Sequence, residues 1–151
     1  IAGLPHDSVK MSVFVQQSIN ADLSGVLVTI NPYDTAQKNS AYIAAKRGLG
    51  IRVVEGKRVA EQVVYNRRND SVQRLSSSNE TTALQLDKNG GVREVPVTSG
   101  NVMNQEQIRR LDQTGQQIKQ LFANGEQDIE WAFDNGKLVI LQARPYLNGS
   151  R

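Results

Sequence analysis

The chain has 151 residues, 38% of them hydrophobic, with 18 Lys and Arg against 15 Asp and Glu for a formal charge of +3. That length and balance predict one globular domain with a proper core, and the lack of cysteine excludes disulfides, thiolate metal sites and cysteine nucleophiles. No apolar run approaches the roughly 20 residues of a membrane span and IAGLPHDSVK lacks a signal-peptide core, so the reading is cytoplasmic with no membrane partner. The basic pairs Lys57-Arg58, Arg67-Arg68 and Arg109-Arg110 are scattered, and the few aromatics form no stacking series, so nucleic acid is not an expected partner.

In chain order, residues 9 to 17, VKMSVFVQQ, alternate as a strand, and GVLVTI at 25 to 30 reads as a second, more continuously apolar one. SINADLS connects them. NPYDTAQKNS at 31 to 40 has loop composition; AYIAAK then reads as a short strand or helix, broken by GLG at 48 to 50. Residues 51 to 98 read as a β-meander built from VVEGKRV, VVYN, SVQRL, TALQL and VREVPV, with NDSVQRLSSSNETT its least ordered part.

A helix is expected over 104–123. Asn104 caps it, Gln107 completes a capping box, and Ile108, Leu111, Gly115, Ile118 and Phe122 share one face. Gly115 costs about 1 kcal/mol against alanine in a helix interior, which suggests close packing on a sheet. Asn124-Gly125 ends the helix. QDIEWAFDNGKLVILQARP at 127 to 145 then forms a hairpin, for an α+β plan with a mostly antiparallel sheet.

The hairpin turn decides which side chains meet. A two-residue Asn135-Gly136 turn would set Glu130 opposite Leu141 and Ile129 opposite Gln142 and so mix both faces, whereas a three-residue Asp134-Asn135-Gly136 loop would pair Phe133 with Lys137. The second register is the expected one. It puts Ile129, Trp131, Phe133, Val139 and Leu141 on an apolar side and gathers Asp128, Glu130, Gln142 and Arg144 on the other. Two carboxylates, a carboxamide and a guanidinium suit a hard cation and a phosphate. Trp131 is expected in the core beside Phe133.

Four stretches carry a family resemblance: VFVQQSINADLSGVLVTINP at 13 to 32, GLGIRVVEG at 48 to 56, the helix followed by QDIEWA at 127 to 132, and LQARP at 141 to 145. Together they resemble the nucleotide-binding region of phosphoenolpyruvate synthase (pyruvate, water dikinase) and pyruvate phosphate dikinase. The resemblance implies an ATP-grasp second lobe with its hinge over 1–147 and a tail at 148–151, with ATP and Mg²⁺ as cofactors. It implies that Glu130 and Gln142 hold Mg²⁺, that Arg144 contacts phosphate, and that Asp128 supports the site electrostatically. Glu130 and Arg144 are then the catalytic pair. Gln16 and Gln17 match the hinge strand at the adenine edge. Thr29, Asn31 and Pro32 match a Thr-x-Asn-Pro stretch at the site floor, where turn formation is the simpler role.

By the same resemblance the partners are a first ATP-grasp lobe and a swivelling phosphohistidine domain of a longer chain. The parent would phosphorylate that histidine with Mg-ATP and then a small acceptor such as pyruvate, and this piece alone would be inactive. Glucan or rifamycin acceptors are the related alternatives, and a non-catalytic regulatory or scaffolding module is the rival class. Two departures bear on that rival: Ile51 stands where the family has glutamate after GLG, and Ala60-Glu61 replaces its Pro-Asp. His6 matches no catalytic motif and reads as a surface or turn residue.

Overall fold

The computed structural model describes residues 12–50 and 60–147. Eight strands and one long helix follow in the order β1 (Leu23–Val28), β2 (Ser40–Arg47), β3 (Glu61–Asn66), β4 (Ser71–Ser76), β5 (Thr82–Leu86), β6 (Val92–Pro96), α1 (Gln105–Leu121), β7 (Gln127–Asp134) and β8 (Lys137–Pro145). Six of the strands make one sheet in the order β4-β3-β2-β1-β7-β8, and β5-β6 is a separate hairpin. Every pairing between these described strands is antiparallel, in keeping with the α+β expectation.

The period of two explains how the central strands are buried. Leu27, Ile43 and Ile129 stand in one cross-strand row, and Gly25, Ala45 and Trp131 in the next, all on the face that α1 covers. Ile108 and Leu111 of α1, with Met103 before it, close that core. Trp131 is fully buried and meets Phe133 edge-on at 5.7 Å, as its alternation predicts. Two glycines permit this packing by close approach. A Cβ on Gly25 would fall 2.0 Å from the Ala44 carbonyl oxygen and 2.9 Å from the Trp131 ring; one on Gly115 would fall 2.5 Å from a Leu27 methyl.

Polar side chains fasten the helix. Asn104 accepts from the Gln107 amide at 2.9 Å and the Gln107 side chain accepts from the Asn104 amide at 3.0 Å, which is the expected capping box. Asp112 on the buried face accepts from Arg67 Nε at 2.9 Å, while Arg67 Nη2 also donates to the Thr29 carbonyl at 2.7 Å. Glu61, 1% exposed, accepts from the Val102 and Met103 amides and from Arg74, fixing the approach to the helix. The helix stops at Leu121, followed by Ala123 and Asn124 in left-handed conformations. Phe122 is therefore its half-exposed C-cap rather than a core residue.

Several expectations are corrected. Residues 12–17 of the first expected strand lie outside any strand, and Val13, Phe14 and Val15 are exposed; among the described residues no neighbouring strand takes up their hydrogen bonds. VVEGKRV, Ile51 and His6 lie outside the described residues. Within the stretch expected to be least ordered, Ser71–Ser76 is strand β4, and Ser78 and Glu80 beyond it are buried. Glu80 pairs with buried Lys46 at 3.4 Å, so the polarity that suggested a loop instead serves an internal ion pair.

The final hairpin also differs. Asp134 pairs with Lys137 across a two-residue Asn135-Gly136 turn, both residues at positive φ, which matches the right-handed twist of the strands. Phe133 therefore faces Leu138, not Lys137. A bulge at Leu141, between the Trp131↔Ile140 and Glu130↔Gln142 pairs, then shifts the register by one residue. Leu138, Ile140 and Ala143, rather than Val139 and Leu141, pack against the core.

Candidate functional site

The bulge gives the face opposite α1 its chemistry. Beyond it Glu130 stands directly opposite Gln142 and Asp128 opposite Arg144, so the four polar side chains expected to meet do so. Rows continue across the sheet: Ala44, Val26, Glu130 and Gln142 form one, and Tyr42, Val28, Asp128 and Arg144 the next. A third, Lys46, Ser24 and Ala132, lies on the other side of the Glu130 row. With a rise of about 3.3 Å per residue, successive rows are about 6.6 Å apart.

Over part of these rows, from Ser24 and Ala132 through Val26, Glu130 and Gln142 to Arg144, lies an open groove of about 710 Å³. One end is mainly apolar, lined by Ile19, Ala21, Leu49 and Leu86, with Val26 and Ala132 on its floor; the other is polar, lined by Glu130, Gln142 and Arg144. Gln16 and Gln17, both exposed, form part of the rim. The β5-β6 hairpin brings Leu86 to the groove through a Leu49 amide bond to the Leu84 carbonyl at 2.8 Å and a Leu86 amide bond to Asn20 Oδ1 at 3.2 Å. The apolar lining was missed by sequence reasoning. Val26 and Ala132 carry a usable signal, since they alternate with core residues, but Leu86 comes from another sheet and has none.

Arg144 donates from Nε at 2.9 Å and Nη2 at 2.7 Å to Asp128 Oδ2. The carboxylate orients the fork, and by hydrogen bonding and charge it holds the guanidinium pKa above its ordinary value, with Glu130 adding to the effect. Glu130 and Gln142 are exposed to the groove. Among the described residues no group of three or more His, Cys, Asp or Glu could hold a metal unaided. A cation at Glu130 and Gln142 would need phosphate and water to complete its shell, the mode magnesium favours.

Nearby polar residues build rather than line the groove. Thr29 donates to Glu126 at 2.6 Å and accepts from the Gln127 amide at 2.8 Å, tying β1 to the start of β7. Asn31 Oδ1 accepts from the Tyr33 amide at 3.1 Å, the turn-forming role anticipated for the Asn-Pro pair.

The pyruvate phosphate dikinase AMP/ATP-binding domain model matches residues 2–151. The chain belongs to that family. It is 31% identical over 146 residues to a probable phosphoenolpyruvate synthase of Archaeoglobus fulgidus, and 32% identical over 155 to the phosphoenolpyruvate synthase of Pyrococcus furiosus. Each alignment covers 95% of this chain but 19% of the relative. A Streptomyces rifampicin phosphotransferase is 31% identical over 147 residues, 95% of this chain and 16% of that protein. The chain thus spans about a fifth or less of the length of these relatives, and the family's ligand class is the adenine nucleotide. No described helix is long and apolar enough to cross a membrane.

Proposed function

We propose that this chain is the C-terminal lobe of an ATP-grasp nucleotide-binding domain in a cytoplasmic dikinase-like phosphotransferase, and that the groove holds Mg-ATP. The observation that carries the reading is the pairing of Glu130 with Gln142 and Asp128 with Arg144 at the polar end of a groove whose other end is apolar. The base lies at the apolar end, with its edge toward Gln16 and Gln17. The phosphates run over the Glu130 row.

Glu130 and Gln142 supply one carboxylate and one amide oxygen to Mg²⁺, which when bound neutralises charge on the phosphates during phosphoryl transfer. Arg144, set by Asp128, contacts phosphate and stabilises charge that builds up in transfer. In the parent enzyme a histidine on a swivelling domain takes the phosphate and passes it to a small acceptor such as pyruvate. The relatives' names include a rifampicin phosphotransferase, so an antibiotic acceptor is the alternative chemistry for the same lobe. The first lobe brings further phosphate donors, and this chain alone binds nucleotide weakly and does not turn over.

A Mg-ATP titration followed by amide shifts tests this. Magnesium-dependent shifts at residues 128–144 and near Gln16 are expected at millimolar nucleotide. Glu130→Gln weakens the binding roughly tenfold to a hundredfold, the scale of one charge-assisted ligand. Shifts that ignore magnesium and the Glu130 substitution would remove the assignment.

A further inference from the structure

The Lys46–Glu80 pair does not line the groove, but it lies where the wall that carries Leu86 is attached to the sheet. Lys46 shares its row with Ser24 and Ala132, both of which do line the groove. The two side chains are 4% and 5% exposed, with Nζ and Oε1 3.4 Å apart. Burying two charges costs more in lost hydration than a single contact returns, so apolar residues would stabilise this place at least as well. What an ion pair adds is direction.

Glu80 belongs to the root of the β5-β6 hairpin. Its amide donates to Ser78 Oγ at 3.2 Å, and the root closes through the Gly100 amide on the Ser78 carbonyl and the Val97 amide on the Thr81 carbonyl, each at 2.9 Å. Further along, Gly48 and Leu84 form a parallel bridge. Gly48 has φ 73°, accepts from Ser24 Oγ at 2.6 Å, and could not carry a side chain, since a Cβ there would fall 2.2 Å from the Leu84 carbonyl oxygen. Two residues beyond Leu84 is Leu86, whose own tie to Asn20 is exposed.

A two-stranded hairpin has little stability of its own and depends on such attachments. Docking at Gly48 alone leaves it free to pivot; a second tie at the root fixes its direction and with it the place of Leu86. We propose that Lys46 and Glu80 are positioning residues for nucleotide binding, holding the β5-β6 hairpin so that Leu86 forms the wall against the base. The assignment rests on the nucleotide reading above and adds to it the device that sets the apolar end.

The test combines amide hydrogen exchange with Mg-ATP titration of this 151-residue chain and its Glu80→Gln, Leu86→Ala and doubly substituted variants. Glu80→Gln is expected to speed exchange at the Leu49 and Leu86 amides about tenfold or more over any change in β1 and β7, which a merely global loss of stability would not do. It should weaken Mg-ATP about three- to tenfold, the scale of losing roughly 30–50 Å² of apolar contact. In the Leu86→Ala chain the same substitution should weaken Mg-ATP little further, because both act on one contact. Should Glu80→Gln not fold, Lys46→Met with Glu80→Leu leaves no bare charge, gives up the directional tie, and is expected to show the same changes. Exchange that rises evenly across the sheet, unchanged Mg-ATP affinity, or losses that multiply with Leu86→Ala would overturn the positioning role while Glu130-dependent binding preserved the groove. Failure of the native chain to bind Mg-ATP would overturn both.

Discussion

Arg67 and Asp112 join the loop end of β3 to the buried face of α1, and their substitution should behave in a way that depends on pH. The side chains are 19% and 5% exposed, and Asp112 takes both short contacts from Arg67 Nε at 2.9 Å. Removing one member of a buried pair costs about 3–5 kcal/mol because the other is left uncompensated. Asp112→Leu falls at or below the lower end, about 2–3 kcal/mol, since Arg67 keeps the Thr29 carbonyl and part of its hydration.

Arg67→Met strands the carboxylate. Burial already raises the Asp112 pKa and Arg67 is what pulls it down, so without Arg67 it rises further. Between the ordinary carboxylate value, about 3.9, and that raised value the folded state binds more protons than the unfolded one, so stability rises as pH falls. The loss in Arg67→Met is therefore expected to be about 3 kcal/mol at pH 8 and smaller at pH 5, with a slope of at most about 1.4 kcal/mol per unit. Replacing both partners, Arg67→Met with Asp112→Leu, should cost less than either single change, because no bare charge remains. Urea unfolding followed by the fluorescence of Trp131, the single tryptophan and fully buried, reads all four proteins. Additive losses with no difference between pH 5 and pH 8 would refute the argument.

Gly25→Ala and Gly115→Ala should differ sharply although both place a methyl in close contact. At Gly25 the obstacle is a neighbouring strand's carbonyl, which cannot yield without parting β1 from β2, so a loss of about 3 kcal/mol or more is expected. At Gly115 the obstacle is a Leu27 methyl and the helix gains about 1 kcal/mol in propensity, leaving a net loss near 1 kcal/mol; thermal melts that reversed the order would reject the reasoning. Asp70 accepts from Arg109, Tyr65 and Gln105, and its pKa is lowered to about 2, with the Arg109 hydrogen bond the largest cause. Its contribution is present above the ordinary carboxylate value and is lost as pH falls toward 2; carboxyl NMR should show that midpoint, moving upward in Arg109→Gln, and a native midpoint near 4 would contradict it.

Local rules were enough for the parts of this protein that local rules govern. Asn104 and Gln107 announced the helix start, the i, i+3 and i+4 apolar spacing announced its buried face, and alternation along QDIEWAF put Trp131 inside and Glu130 outside. The shared face of Asp128, Glu130, Gln142 and Arg144 was legible too, although for an incorrect reason. A tight turn was read as a three-residue loop, and the register shift that sorts the faces comes from the bulge at Leu141 instead. Turn residues report φ preference. They carry no information about an extra residue five positions further on.

What the tertiary structure alone decided is everything that depends on distant chain meeting. The alternation in VKMSVFVQQ cannot form a strand without a neighbour, and residues 12–17 have none among the described residues. The polar run through Ser78 and Glu80 becomes interior because Lys46 meets it from another strand. Likewise, part of the groove wall exists only because the β5-β6 hairpin, bonded to Leu49 and Asn20, brings Leu86 to it. Periodicity and capping are properties of a few consecutive residues and so are written in the chain itself, whereas burial of a charge or closure of a groove depends on which far segment packs there.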